Sequence, residues 1–171
     1  FRTVWGDSDN TVYAGGTTGS FARFDGTSWS YDDTSAISET VVDIWGVDED
    51  DLYAIAGNNS GFDPGQIYHW DGNDWSLLID DVEKAFHSII GFAADDIYFA
   101  EHQSIIHWDG VSFTESATNL PISMNTVCGI ENNHLIGFCD SGIAVVWSET
   151  PGTTGVDINI PTEIVHPGDM F

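Results

Sequence analysis

The chain has 171 residues, 42% hydrophobic and 13% aromatic, with 18 glycines and seven tryptophans. Three basic residues (Arg2, Arg23 and Lys84) face 28 acidic ones, for a formal net charge of -25 at pH 7. Such a polyanion repels phosphate backbones and anionic lipid, because affinity for both comes mainly from Lys and Arg. No run reaches the roughly 20 apolar residues of a membrane-spanning helix. Nucleic acid and membrane insertion are thereby excluded. The charge serves solubility in a salty medium or binds a divalent cation through clustered carboxylates.

The first elements set a pattern. Val4-Trp5-Gly6 leads into the polar turn Asp7-Ser8-Asp9-Asn10, then the short apolar run Val12-Tyr13-Ala14. A Gly-rich loop, Gly15 to Ser20, precedes a run that ends in Phe24-Asp25-Gly26, with Trp29 opening the next. The order returns with Ile44-Trp45-Gly46, Asp48-Glu49-Asp50-Asp51, Leu52-Tyr53-Ala54-Ile55 and Trp70-Asp71-Gly72-Asn73-Asp74-Trp75. It returns again with Ile89-Ile90-Gly91, Asp95-Asp96, Ile97-Tyr98-Phe99-Ala100 and Trp108-Asp109-Gly110-Val111-Ser112-Phe113. A fourth copy begins at Val127-Cys128-Gly129, passes Glu131-Asn132-Asn133 and Leu135-Ile136-Gly137-Phe138, and ends in a decayed Val146-Trp147. The copies are offset by 40, 45 and 38 residues.

Each unit therefore holds four short strands in about 40 residues, the size of one β-propeller blade. Asp-Gly supplies the positive φ of a hairpin connection. Runs such as Val41-Val42-Asp43-Ile44-Trp45 are apolar on both faces, as suits a sheet sandwiched between two others. The sequence predicts an all-β propeller of four-stranded antiparallel blades at about 1–39, 40–84, 85–122 and 123–149. A β-sandwich with accidental repetition is the competing reading. An arc of four blades leaves two apolar faces wet, at a cost on the order of 10 kcal/mol. It must close on itself or belong to a larger ring, and further blades before Phe1 are the expectation.

Residues 44 to 75 carry the pattern most fully: Trp-Gly, acidic turn, Asp-Leu-Tyr-Ala, glycines, then His-Trp-Asp-Gly-x-x-Trp. This resembles the propeller repeats of exported bacterial surface proteins and lipoproteins, over roughly residues 1 to 148. The resemblance implies a propeller, export to the cell surface or outside, and neighbouring domains of a longer chain. It implies no single function, because propellers host many. Residues 150–155 read as a linker. Residues 156–171 read as the outer strand of the last blade or the start of a following β-sandwich module. Cys128 and Cys139 fall on neighbouring strands of one hairpin, either as a disulfide or as two thiols.

No catalytic residues stand out. Sialidase-like hydrolysis needs an arginine cluster, and Arg23 occupies a repeat slot filled by His69 and His107. No Gly-x-Ser-x-Gly elbow and no His-x-x-x-His pair is present. No cofactor is expected beyond Ca²⁺, for which Asp7, Asp9, Asp48 and Asp50 offer closely spaced oxygens. The acidic and Asp-Gly turns should share one face of the disc and the irregular loops the other, where function usually sits. The longest loop brings Asn58, Asn59, Phe62 and Asp63, and Lys84, His87, His102 and Gln103 join it. These residues suit recognition of a glycan or a protein. The reading is a non-catalytic recognition or adhesion module. Its rivals are a structural unit of a surface assembly and a propeller hydrolase or lyase acting on polysaccharide.

Overall fold

The computed structural model describes residues 1–8, 10–32, 36–57, 65–81, 83–117, 124–131, 134–139, 144–150 and 153–157. They form four separate antiparallel sheets of four strands, each laid down in chain order. The first holds β1 (Thr3–Ser8), β2 (Thr11–Gly15), β3 (Phe21–Phe24) and β4 (Trp29–Asp32). The second holds β5 (Val41–Asp48), β6 (Asp51–Ala56), β7 (Gly65–Trp70) and β8 (Trp75–Asp81). The third holds β9 (Phe86–Ala93), β10 (Asp96–Glu101), β11 (Ser104–Trp108) and β12 (Phe113–Ala117). The fourth holds β13 (Met124–Glu131), β14 (His134–Cys139), β15 (Ala144–Thr150) and β16 (Thr153–Asp157). Strands pair within a copy of the repeat, as the blade reading requires. Thr153 to Gly155, inside the stretch read as a linker, belong to β16 and pair with β15. Threonine suits an edge strand, and the ladder of β15 supplies its partners.

The inner strands β1, β5, β9 and β13 pack side by side in that order. The second strands of the two middle sheets, β6 and β10, are buried on both faces, because a sheet lies on each side. In β6, Leu52, Ala54 and Ala56 face the first sheet, while Tyr53 and Ile55 face the third. In β10, Ile97 and Phe99 face the second sheet, while Tyr98 and Ala100 face the fourth. Three apolar cores thus fill the three gaps between four sheets.

The Trp-Gly repeat has a mechanical cause. The glycine of each later inner strand lies against an aromatic of the preceding sheet. A Cβ on Gly46 would come within 3.1 Å of Trp5, one on Gly91 within 2.5 Å of Trp45, and one on Gly129 within 2.1 Å of Phe92. The residue after this glycine is skipped by the ladder in all four sheets, so Asp7, Val47, Phe92 and Ile130 are bulges. That extra residue bends the strand locally.

The Asp-Gly connections are four-residue loops rather than two-residue turns. Phe24 pairs with Trp29, and Trp70 with Trp75. Gly26, Gly72 and Gly110 take φ near +86°, +88° and +84°. The aspartate closes each loop: Asp25 Oδ1 accepts the N–H groups of Thr27 and Ser28, Asp71 Oδ1 those of Asn73 and Asp74, and Asp109 Oδ1 those of Val111 and Ser112. Each glycine then sits against Asn10, Asp50 or Asp95 of the first turn in its own sheet. The two kinds of turn therefore share one face, as expected.

These backbone hydrogen bonds hold the Asp25, Asp71 and Asp109 carboxyls below the ordinary aspartate range. A depressed folded pKa means the stabilisation is complete above the unfolded value of about 3.9 and is lost as pH falls through the folded value. Side-chain carboxyl NMR titration should find all three below that value. Asp109→Asn, which keeps the accepting oxygen, should remove the acid dependence of its loop.

Cys128 and Cys139 do not bond. Cys128 pairs with Ile136, whereas Cys139 pairs with Met124. Three residues along β14 separate Cys139 from the partner of Cys128, roughly 10 Å, against the ~7 Å limit on a disulfide's Cα separation. The odd offset also sends them to opposite faces, one exposed and one buried.

Candidate functional site

In the second and third sheets, one slot on the third strand holds a histidine satisfied within its own sheet. His69 Nε2 lies 2.8 Å from Asp51 Oδ1, and its ring stacks on Tyr53 at 4.6 Å. His107 Nε2 lies 2.9 Å from Asp96 Oδ1, and its ring stacks on Tyr98 at 4.3 Å. The first sheet departs from this pattern at both positions. Arg23 stands where the histidine would, and Thr11 where the aspartate would.

The consequence is a contact between sheets. Arg23 lies over the Tyr13 ring at 5.9 Å and pairs with the Glu49 carboxylate in the β5–β6 turn. The Thr11 hydroxyl reaches the same carboxylate at 3.5 Å. The Tyr13 hydroxyl donates to the Glu49 carbonyl at 3.1 Å, and Trp70 Nε1 donates to it at 3.2 Å. Burial pushes the Tyr13 hydroxyl above the ordinary phenol value, with Arg23 pulling it partly back. Tyr13 is thus a neutral donor at physiological pH.

Tyr13, Arg23, Glu49 and Trp70 line a cleft of about 250 Å³ between the first two sheets, together with Ser30, Tyr31, Asp50 and Trp75. The Arg23 and Glu49 side chains are nearly half exposed, at 45% and 44%. An ion pair so wet adds little to stability. Its unused N–H groups and lone pairs remain open to a ligand. Aromatic faces, a guanidinium and a carboxylate converging in one concave place are the usual components of a small-molecule site.

The candidate residues read from the sequence belong to the loops of the other face. Of that set, Asn58, Asn59, Phe62 and Asp63 lie outside the described residues. Lys84 Nζ reaches Glu115 Oε1 on β12 at 2.8 Å. His87 and His102 come together, ring centroids 5.0 Å apart and edge to face. The Gln103 N–H donates to Glu101 Oε2 at 3.2 Å, which also takes the Ser104 hydroxyl at 3.1 Å. Of the proposed metal ligands, Asp7 is the bulge residue of β1, and Asp9 lies outside the described residues. Asp48 Oδ1 accepts the Asp50 N–H at 2.9 Å, closing the turn on itself. Among the described residues, no three His, Cys, Asp or Glu side chains converge to hold a metal ion.

No protein-family model and no curated protein matches the chain. Solved structures do. One is the extracellular domain of the putative one-component system BT4673 of B. thetaiotaomicron, at TM-score 0.65 and 12% identity over 88% of this chain. Another is YCF48 bound to a D1 peptide, at 0.54 and 10% over 86%. A third is the Aleuria aurantia lectin, a six-bladed β-propeller that recognises fucose, at 0.53 and 11% over 91%. The chain spans 21%, 64% and 59% of those chains respectively. Its fold is that of a β-propeller. Its structural neighbours include a glycan-binding lectin and an extracellular domain.

Proposed function

We propose that the chain is a recognition module of an exported protein, and that the cleft between its first two sheets takes a sugar residue. The observation that carries this reading is the paired departure at Thr11 and Arg23, which turns a self-contained His–Asp contact into an open Arg–Glu pair beside Tyr13 and Trp75. A pyranose offers adjacent hydroxyls to the guanidinium and carboxylate, and apolar C–H faces to the rings. A neutral sugar also escapes the repulsion that this acidic chain exerts on anions. The lectin among the structural neighbours supports the same class of ligand. The extracellular domain among them supports an exported setting.

The test is a glycan array followed by titration of the best ligand. Arg23→Ala should weaken binding by about 30-fold, the scale of a hot-spot contact. The double change Thr11→Asp with Arg23→His restores the repeat pattern, so it should keep the fold and still lose the ligand. His102→Ala, on the opposite face, should leave affinity within about twofold. Loss of binding in His102→Ala alone would move the site to the loop face. A blank array with tight binding to a peptide would make the module a protein receptor instead.

A further inference from the structure

The third sheet departs from the repeat at a pair of positions of its own, on the loop face. His87 and His102 meet there edge to face, with ring centroids 5.0 Å apart and ring planes at 62°. By strand register His87 takes the slot of Arg2, Val42 and Asn125, and His102 that of Thr17 and Gly57. No other copy of the repeat puts a histidine in either slot. The backbone fixes both side chains. The β9–β10 ladder passes from Ser88–Ala100 to Phe86–Glu101 and skips His87, and a bulge of this kind re-aims the side chain it carries. His102 opens the tight turn into β11. Glu101 Oε2 closes that turn by accepting the Gln103 N–H and the Ser104 hydroxyl, and the Met124 N–H donates to the His102 carbonyl at 3.1 Å. His102 Nδ1 is buried and has no hydrogen-bond partner among the described residues. A buried ring nitrogen left so lowers stability, and a ligand on it recovers the loss.

We propose that His87 and His102 together hold a first-row divalent transition metal, Cu²⁺ most tightly, with water completing its coordination. A metal about 2.1 Å from one nitrogen of each ring, at a near-tetrahedral angle, sets the ring centroids roughly 5 Å apart. The observed separation of 5.0 Å meets that span. Edge-to-face packing alone reaches similar distances, but it gives the buried His102 Nδ1 no role. Imidazole nitrogen selects this class of metal over Ca²⁺ and Mg²⁺, which take oxygen, and Cu²⁺ stands highest in the affinity order. The net charge of -25 concentrates cations around the chain. Lys84, the basic residue nearest in sequence, is held by Glu115 of β12. Among the described residues no third His, Cys, Asp or Glu joins the pair, so the remaining positions on the metal are open to exchange. This inference is independent of the sugar cleft, which lies on the other face.

The test is calorimetric titration of the chain with CuCl₂, read beside pulsed EPR of the complex at one equivalent. One equivalent should bind well ahead of the weak sites that the 28 acidic residues provide. His87→Ala and His102→Ala should each weaken that equivalent about 100-fold, the upper end of what loss of a ligand's supporting hydrogen bond costs. Asp48→Asn, in an acidic turn of the opposite face, should leave it unchanged. Copper should raise the melting temperature of the parent chain and of Asp48→Asn, and of neither histidine variant. EPR of the parent chain should show the remote nitrogens of two imidazoles, a readout that needs no variant to fold. Loss of the tight equivalent in only one histidine variant would overturn the proposal. So would an EPR signal from one imidazole or none. A titration with weak equivalents alone, or with binding that both histidine variants keep, would make the carboxylates the copper ligands and end it as well.

Discussion

Replacing Asp43 with alanine is expected to lower the unfolding free energy by about 3 kcal/mol, through one side chain that ties three sheets together. Asp43 Oδ1 accepts the Thr3 hydroxyl of β1 at 2.8 Å and its neighbour's N–H, that of Ile44, at 3.0 Å. Oδ2 accepts the Ser88 hydroxyl of β9 at 3.3 Å and the Ile89 N–H at 3.1 Å. Ser88 Oγ lies 3.5 Å from the Thr126 hydroxyl of β13, which extends the chain to the fourth sheet. Thr3, Asp43, Ser88 and Thr126 are the same position of the four repeats, so the polar chain follows the inner strands from sheet to sheet. All four groups on the carboxylate act as donors. Asparagine therefore does not substitute well, since its NH₂ must face the Ile44 or the Ile89 N–H, neither of which can turn to accept. Asp43→Asn should recover less than half of the alanine loss. Chemical denaturation of both variants checks this. A loss under about 0.5 kcal/mol for Asp43→Ala, the scale of a neutral surface change, would rule the network out as a tie between sheets.

The sheets were legible in the sequence because their signals are local. Trp-Gly, Tyr at the centre of the second strand and Asp-Gly before the fourth recur in fixed order, and each has a steric cause inside one blade or at one junction. Asp43 was harder to read. It is one polar residue in the apolar run Val41 to Trp45, and its partners lie 40 and 45 residues away. The cleft between the first two sheets was not read from the sequence for a different reason. Regular turns look like scaffold and irregular loops look like function, yet the opening lies between sheets on the regular face. A signal did exist in the aligned copies. Thr11 and Arg23 depart together from Asp51–His69 and Asp96–His107, and two coupled departures in one slot pair are stronger than a long loop. The cysteine pairing was out of reach, because bulges at Asn125 and Ile130 set the register of β13 on β14, and neither has a local sequence mark.

Gly91→Val should cost about 3 kcal/mol or more, at the upper end of overpacking effects. The first added atom, Cβ, would already lie 2.5 to 2.7 Å from three carbons of the Trp45 ring. That ring cannot slide away freely, since Tyr53 lies beside it with centroids 6.4 Å apart in the same apolar core. Trp45→Ala alone should cost a similar amount, because it leaves a cavity against a bare glycine. The two changes together should cost clearly less than the sum, since valine at position 91 then grows into the space the indole vacated. A double-mutant cycle by thermal or urea unfolding measures the coupling. Additive losses would mean that the ring and the glycine do not touch in solution, and the explanation of the Trp-Gly repeat as a knob laid on a bare backbone would fall with them.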